Sequence, residues 1–441
     1  MQDFRQRVIR LYSTREQLIQ QGVWEGGLYR AGDGDSSSIE VCAADRAWVW
    51  RSLLLNPEDD DAGEAGAGSP RYISQDAILS GAVGSLVPVP MLSSGSSESA
   101  AAVTNVHNSV SPVRRLVNGV RKLTPKETVV HPLDSVESVP APDETGMSLA
   151  DTLEIVDLDL SRLMLADIFQ KPAVHALMRK IMYNYLLLDS RRGRGESSVN
   201  SAQDTPPLFH YRQGYHEVLG VVYLQFAAED GDIPPESVRF VLYIFAKLMQ
   251  PLAAHFYVEK NLLYWETHTF SRMLKLAAPD LHAAFYPHNS QAETHPHNLI
   301  WLIRWTRLLF LRELSLKETL VVWDHALTFA YPLEVFVAAV IVAVLVSRRR
   351  DIAAMLRDAD ADADDLIEYM LQFGRAGKPI GVLKVCALAR KLCDAWECGQ
   401  YRELRGCCEA FAREHDVDPN RKRLEDRLRR GVRRSLAQGP V

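Results

Sequence analysis

The 441-residue chain lacks the usual marks of a nucleotide-binding, serine-hydrolase or disulfide-stapled protein. It has no Gly-x-x-x-x-Gly-Lys-Ser/Thr stretch, which excludes a phosphate-cradling loop of that kind. It has no Gly-x-Ser-x-Gly stretch, so the sharp turn that presents a serine nucleophile is missing too. Cysteine is scarce: Cys42, Cys386, Cys393, Cys398, Cys407 and Cys408, with no Cys-x-x-Cys pair. The opening Met1-Gln2-Asp3-Phe4-Arg5 is not a secretory leader, so reduced thiols in a cytosolic protein are expected. Net positive charge is absent as well. At −6 the chain is no general nucleic-acid binder.

Long apolar runs are also wanting. The longest, 335–346, has 12 residues, too few to cross a hydrocarbon core at roughly 1.5 Å per residue. Pro332 and Glu334 precede it and Arg348-Arg349-Arg350 follow, which predicts a buried helix whose C-terminal arginines offset its dipole. Strand-like alternation is scarce, so an all-α fold is expected, and 47% hydrophobic residues are ample for a sizeable core.

The stretch Tyr211-Arg212-Gln213-Gly214-Tyr215-His216-Glu217-Val218-Leu219 follows a Pro-rich loop and precedes a dense apolar run. Gln213 and Gly214 are therefore expected at a helix N-terminus, where unpaired N–H groups and the positive dipole end suit a phosphate. Gly214 would let a partner's backbone approach, and Gln213 offers a carbonyl and an amide on a short stem. Taken alone, the same stretch reads as an ordinary buried helix start. Upstream, Val156-Asp157-Leu158-Asp159-Leu160-Ser161-Arg162 puts Asp159 and Arg162 three apart on one helix face. By themselves they read as a surface ion pair worth a few tenths of a kcal/mol.

Together the two stretches resemble the TBC family, whose members activate Rab-type small GTPases. Val156, Asp159 and Arg162 stand where that family has Ile-x-x-Asp-x-x-Arg, and Tyr211, Gln213 and Gly214 where it has Tyr-x-Gln-Gly. Arg304-Trp305-Thr306-Arg307-Leu308-Leu309-Phe310 and Leu320-Val321-Val322-Trp323-Asp324 resemble its C-terminal half, and Arg46 and Trp50 its opening Arg-x-x-x-Trp. The resemblance implies a TBC-like multi-helix fold with disordered insertions. It implies that Arg162 and Gln213 are catalytic residues completing a partner Rab's site, and that Asp159, Tyr211 and Gly214 support them or contact the GTPase. It implies no cofactor and no metal of the chain's own, since GTP and magnesium belong to the partner. Two positions depart from the pattern: Leu163 where a hydroxyl residue is common, and Tyr215, expected at the contact surface, where Met is common. Gln-Gly-x-His-Glu-x-Leu resembles the retromer-associated endosomal branch. That implies retromer or another endosomal coat as a further partner, with a cytoplasmic location and peripheral association with endosomal membranes. Arg46 and Trp50 are expected to brace the fold.

The domain organisation expected is a TBC domain over 1–383, with a largely disordered insertion at about 56–150 and a loop at about 191–207. A helical, basic tail over 384–441 completes the chain. The insertion is acidic and Gly/Ser-rich in turn, and Arg114-Arg115 with Arg121-Lys122 gives it a modest basic cluster. Thr152 is expected to cap the arginine helix, with Ile155 and Val156 facing inward. Residues 173–188 and 238–249 are expected to be helices, 262–276 one helix, and 421–434 an amphipathic basic helix suited to an anionic membrane. His282, His288, His295 and His297 fit no common zinc spacing. Two other functions fit the residues: a TBC scaffold that binds a GTPase or a trafficking coat without catalysis, and an unrelated helical adaptor.

Overall fold

The computed structural model describes residues 2–29, 41–54, 86, 88–89, 147–192, 209–287, 296–356, 363–376 and 380–415. These are helical throughout, with no strand among them and a single isolated bridge, Met147 to Phe209. The basic cluster at 114–122, the helix expected at 421–434, and nearly all of the stretches 56–150 and 191–207 lie outside the described residues.

The apolar run forms the helix Leu333–Ser347, and every residue from Val335 to Val346 is buried. A helix apolar all round has no face to offer water, so it must be surrounded. Pro235–Phe256, Arg272–Ala277, Val382–Glu397 and Tyr401–His415 surround it. The expected domain boundary at 383/384 falls inside Val382–Glu397, whose Val385, Cys386, Leu388, Ala389, Leu392 and Cys393 are buried in the same core. Burial pushes the Cys386 and Cys393 thiols up, and that of Cys408 up to about 12, so all three stay protonated and inert. Pro235–Phe256 is long and apolar enough to cross a membrane by length and composition, yet most of it is buried inside the protein. The stretch expected as one helix at 262–276 is Glu259–Trp265 and Arg272–Ala277 joined by a π-helical segment, Glu266–Ser271.

The chain's first fifty residues close on its last third. In Ala43–Leu54, Arg46 pairs with Asp324 at 3.1 Å and Trp50 donates its indole N–H to the same carboxylate at 2.6 Å. Tyr29 adds its hydroxyl at 2.9 Å. All four residues are buried, so Arg46 and Trp50 brace the fold, as the sequence suggests.

Candidate functional site

The arginine helix spans Leu149–Ser161. Ser148, not Thr152, is its cap: Ser148 accepts from the Asp151 N–H at 3.2 Å, while Thr152 is buried and donates to the Ser148 carbonyl. Both residues can cap, but Ser148 sits where the backbone is still extended, which is where a cap belongs. Val156 faces inward as expected, whereas Ile155 is 38% exposed. The buried face of this helix is made by Thr152, Leu153, Val156, Asp159 and Leu160, and Ile155, turned about 100° from Val156, falls off its edge.

The helix ends where Arg162 leaves the helical conformation, and the Arg162 side chain is exposed. Among the described residues it makes no side-chain hydrogen bond or ion pair. Its neighbour Leu163 does the anchoring. Leu163 is buried, and a Cβ on Gly220 would stand 3.0 Å from its Cδ2 and equally close to Leu165 Cδ1. Phe169 packs edge-on against Tyr223, and Gln170 donates to the Leu163 carbonyl at 3.0 Å. The segment after Arg162 is thus pinned to the helix that follows Gln213.

That helix is Tyr215–Phe226, buried at every position from Tyr215 to Tyr223. Gly214 is its cap at φ 105°, a conformation in which a side chain would be strained. A Cβ there would stand 3.0 Å from both Leu308 Cδ2 and the Tyr257 hydroxyl. Gly214 is itself buried, so its smallness serves the protein's own packing. Gln213, one residue earlier, is exposed. Tyr215 does not lie at a contact surface. It is buried among Tyr185, Tyr211 and Tyr257, because the first turn of a helix enclosed on all sides has its bulky residues inside.

The two halves meet at Asp159. Buried, it accepts the Tyr211 hydroxyl at 2.9 Å. The Tyr211 oxygen also lies 3.0 Å from His216 Nδ1, and that nitrogen lies 3.5 Å from Asp159. Asp159 therefore makes its side-chain hydrogen bond inward, to Tyr211, with His216 close by, rather than to Arg162. It stands one helical turn before Arg162, and Tyr211 stands two residues before Gln213. The bond thus ties the end of the arginine helix to the segment that carries Gln213. Met147 and Phe209 exchange backbone hydrogen bonds at 3.2 Å each and hold the same two segments together at their entry. Burial first, and then the Asp159 charge, push the Tyr211 hydroxyl far up, so it remains a proton donor. His216 is shifted down by burial, with Asp159 and Glu217 opposing. Glu217 in turn takes a two-pronged bond from Arg312, at 2.6 and 3.2 Å.

His216 figures in the sequence only within Gln-Gly-x-His-Glu-x-Leu, and nothing there pointed to a part in the site; a polar ring in a largely apolar run was the further signal. Among the described residues no group of three or more His, Cys, Asp or Glu side chains could hold a metal. His282 sits 3.2 Å from the Ser271 hydroxyl and stacks on Tyr286. His288, His295 and the His297 side chain lie outside the described residues.

A protein-family model described as the Rab-GTPase-TBC domain matches residues 142–353, just under half of the chain. The matched stretch contains the motifs around Arg162 and Gln213. No curated protein matches the chain. Among solved structures, the crystal structure of the Ypt/Rab-GAP domain of Gyp1p is similar at a TM-score of 0.42 and 14% identity. That match covers 56% of this chain and 74% of the other.

Proposed function

We propose, from the Rab-GTPase-TBC match of residues 142–353, that the chain is a GTPase-activating protein for a Rab-family small GTPase. In this reading Arg162 and Gln213 enter the partner's nucleotide site. Hydrolysis of GTP needs positive charge on the developing γ-phosphate and an oriented attacking water. Arg162 is planar, always charged and weakly hydrated, which suits it to the first task. Gln213, with a donor and an acceptor on one amide, suits the second.

The observation that carries this reading is the bond between Asp159 and Tyr211. It fixes two buried residues and leaves beside them an exposed arginine and an exposed glutamine, neither needed for packing. GTP and its magnesium are the partner's. The finer reading, an endosomal location with retromer or another coat as second partner, rests on Gln213-Gly214-Tyr215-His216-Glu217-Val218-Leu219.

Single-turnover GTP hydrolysis over a panel of Rab proteins, with binding measured on the same panel, tests the proposal. The expected result is acceleration of one or a few Rabs that vanishes in Arg162→Ala. Binding without acceleration would leave a scaffold, and neither would leave an unrelated adaptor.

A further inference from the structure

The Asp159–Tyr211–His216 chain has a proton account that settles how it is wired. The Tyr211 hydroxyl carries one hydrogen and lies 2.9 Å from the Asp159 carboxylate, which can only accept. That hydrogen is therefore committed to Asp159. The Tyr211 oxygen also lies 3.0 Å from His216 Nδ1, and two lone pairs cannot face each other at that distance. Nδ1 must carry a hydrogen.

We propose that His216 is a positioning residue for the activating site. Its Nδ1–H donates to Tyr211, whose O–H donates to Asp159, and this relay holds the end of the arginine helix against the glutamine turn. The proposal rests on the Rab-activating reading, because its consequence is the placement of Arg162 against Gln213. His216 is itself buried and cannot be a finger. The groups facing it are Asp159, Tyr211, Glu217 and Arg312. Each hydrogen bond in the relay runs toward the carboxylate, so the two polarise in the same direction and reinforce each other. The relay links residue 159 to residues 211–216, and the apolar contacts of Leu163 and Phe169 with Gly220 and Tyr223 add to it farther along the helix.

The test uses two variants of similar polarity. Asn places its amide nitrogen where His has Nδ1, whereas Gln places its amide nitrogen nearer to Nε2. His216→Asn should keep GTPase activation within about threefold of the natural protein. His216→Gln should lose tenfold or more in kcat, with KM and melting temperature matched to those of the Asn variant. On a Tyr211→Phe background, which removes the relay's middle oxygen, the two variants should no longer differ. Equal activity of the Asn and Gln variants in the natural background, or losses that track melting temperature alone, would overturn the positioning role.

A second measurement does not depend on activation. Nitrogen-15 spectra of histidine-labelled full-length protein should show His216 Nδ1 protonated. An active protein with Nε2 alone protonated would overturn the relay while leaving the Rab-activating reading intact. A protein inactive on every Rab would overturn that reading, and with it the role of His216 in activation, whatever the tautomer.

Discussion

A methyl group on Gly214 would stand 3.0 Å from Leu308 Cδ2, so the glutamine turn rests directly on the loop that follows Arg307. That loop has no slack of its own. Leu309 and Phe310 both hold positive φ, and the Leu309 carbonyl accepts the Trp323 indole N–H at 3.0 Å. Gly214→Ala should therefore cost about 1–3 kcal/mol from the strained φ alone. It should also displace Gln213, and activation should fall further than the lost stability explains. Urea melts and single-turnover assays on one preparation would separate the two effects, and full activity in a destabilised variant would refute the displacement.

Arg162 is exposed and supports little packing. Arg162→Ala should lower GTPase activation by about 10³–10⁵ without moving the melting temperature, the range typical of arginine fingers. Arg162→Lys should fare nearly as badly, since a point charge cannot reproduce the planar fork.

Gln213→Ala should be similarly inactive, and the double variant hardly worse than either single one, because groups acting in one transition state are not additive. The control lies in the partner. A Rab whose own switch glutamine is replaced by Leu should still respond to the natural protein. If it fails to respond while Gln213→Ala remains active, the glutamine role is disproved.

Asp324 is the sole carboxylate facing the buried Arg46 guanidinium among the described ion pairs, and it also holds Trp50 and Tyr29. Removing one partner of a buried pair leaves the other charge uncompensated. Asp324→Ala should destabilise the protein by about 3–5 kcal/mol by chemical denaturation. Activity per folded molecule should change little.

Glu313 is buried beside Arg304, 2.7 Å away, and burial outweighs that cation enough to push its carboxyl up to about 7. The folded protein thus holds this proton where the unfolded chain has released it. The stability so gained is fully present below the ordinary carboxylate range and is lost as pH rises through about 7. Glu313→Gln should flatten this dependence, with a difference from the natural protein of up to about 3 kcal/mol across that window. Urea melts at pH 5 and pH 8 measure it, and a natural protein that gains stability relative to the variant at pH 8 would contradict the sign.

Much of this was legible in the residues because it is local. The apolar run before Ser347-Arg348-Arg349-Arg350 could only be an enclosed helix, and Gly214 before Tyr215 marked a helix start. That Arg46 and Trp50 brace the fold was legible only through the family pattern, and their partner Asp324 was not legible at all, since nothing local joins positions so far apart. What stayed hidden was partner choice. Asp159 looks like the ion-pair mate of Arg162, three residues on, yet its hydrogen bond goes to Tyr211, far along the chain, with His216 beside it. Burial decides the matter: a carboxylate facing the core must find buried donors, while an exposed arginine needs none. Ile155 and Tyr215 were misjudged for a related reason. Apolar or bulky character says that a side chain can be buried, not which side of its helix is covered.

The packing of Val382–Glu397 against Leu333–Ser347 sets the smallest piece of this chain that can work alone. A fragment trimmed to 142–353, the span of the family match, would bare the faces of Leu333–Ser347 that the later helix covers. It would also leave Asp324 without Arg46, Trp50 or Tyr29. Such a fragment should aggregate or unfold, and its silence in a GTPase assay would carry no information about Arg162.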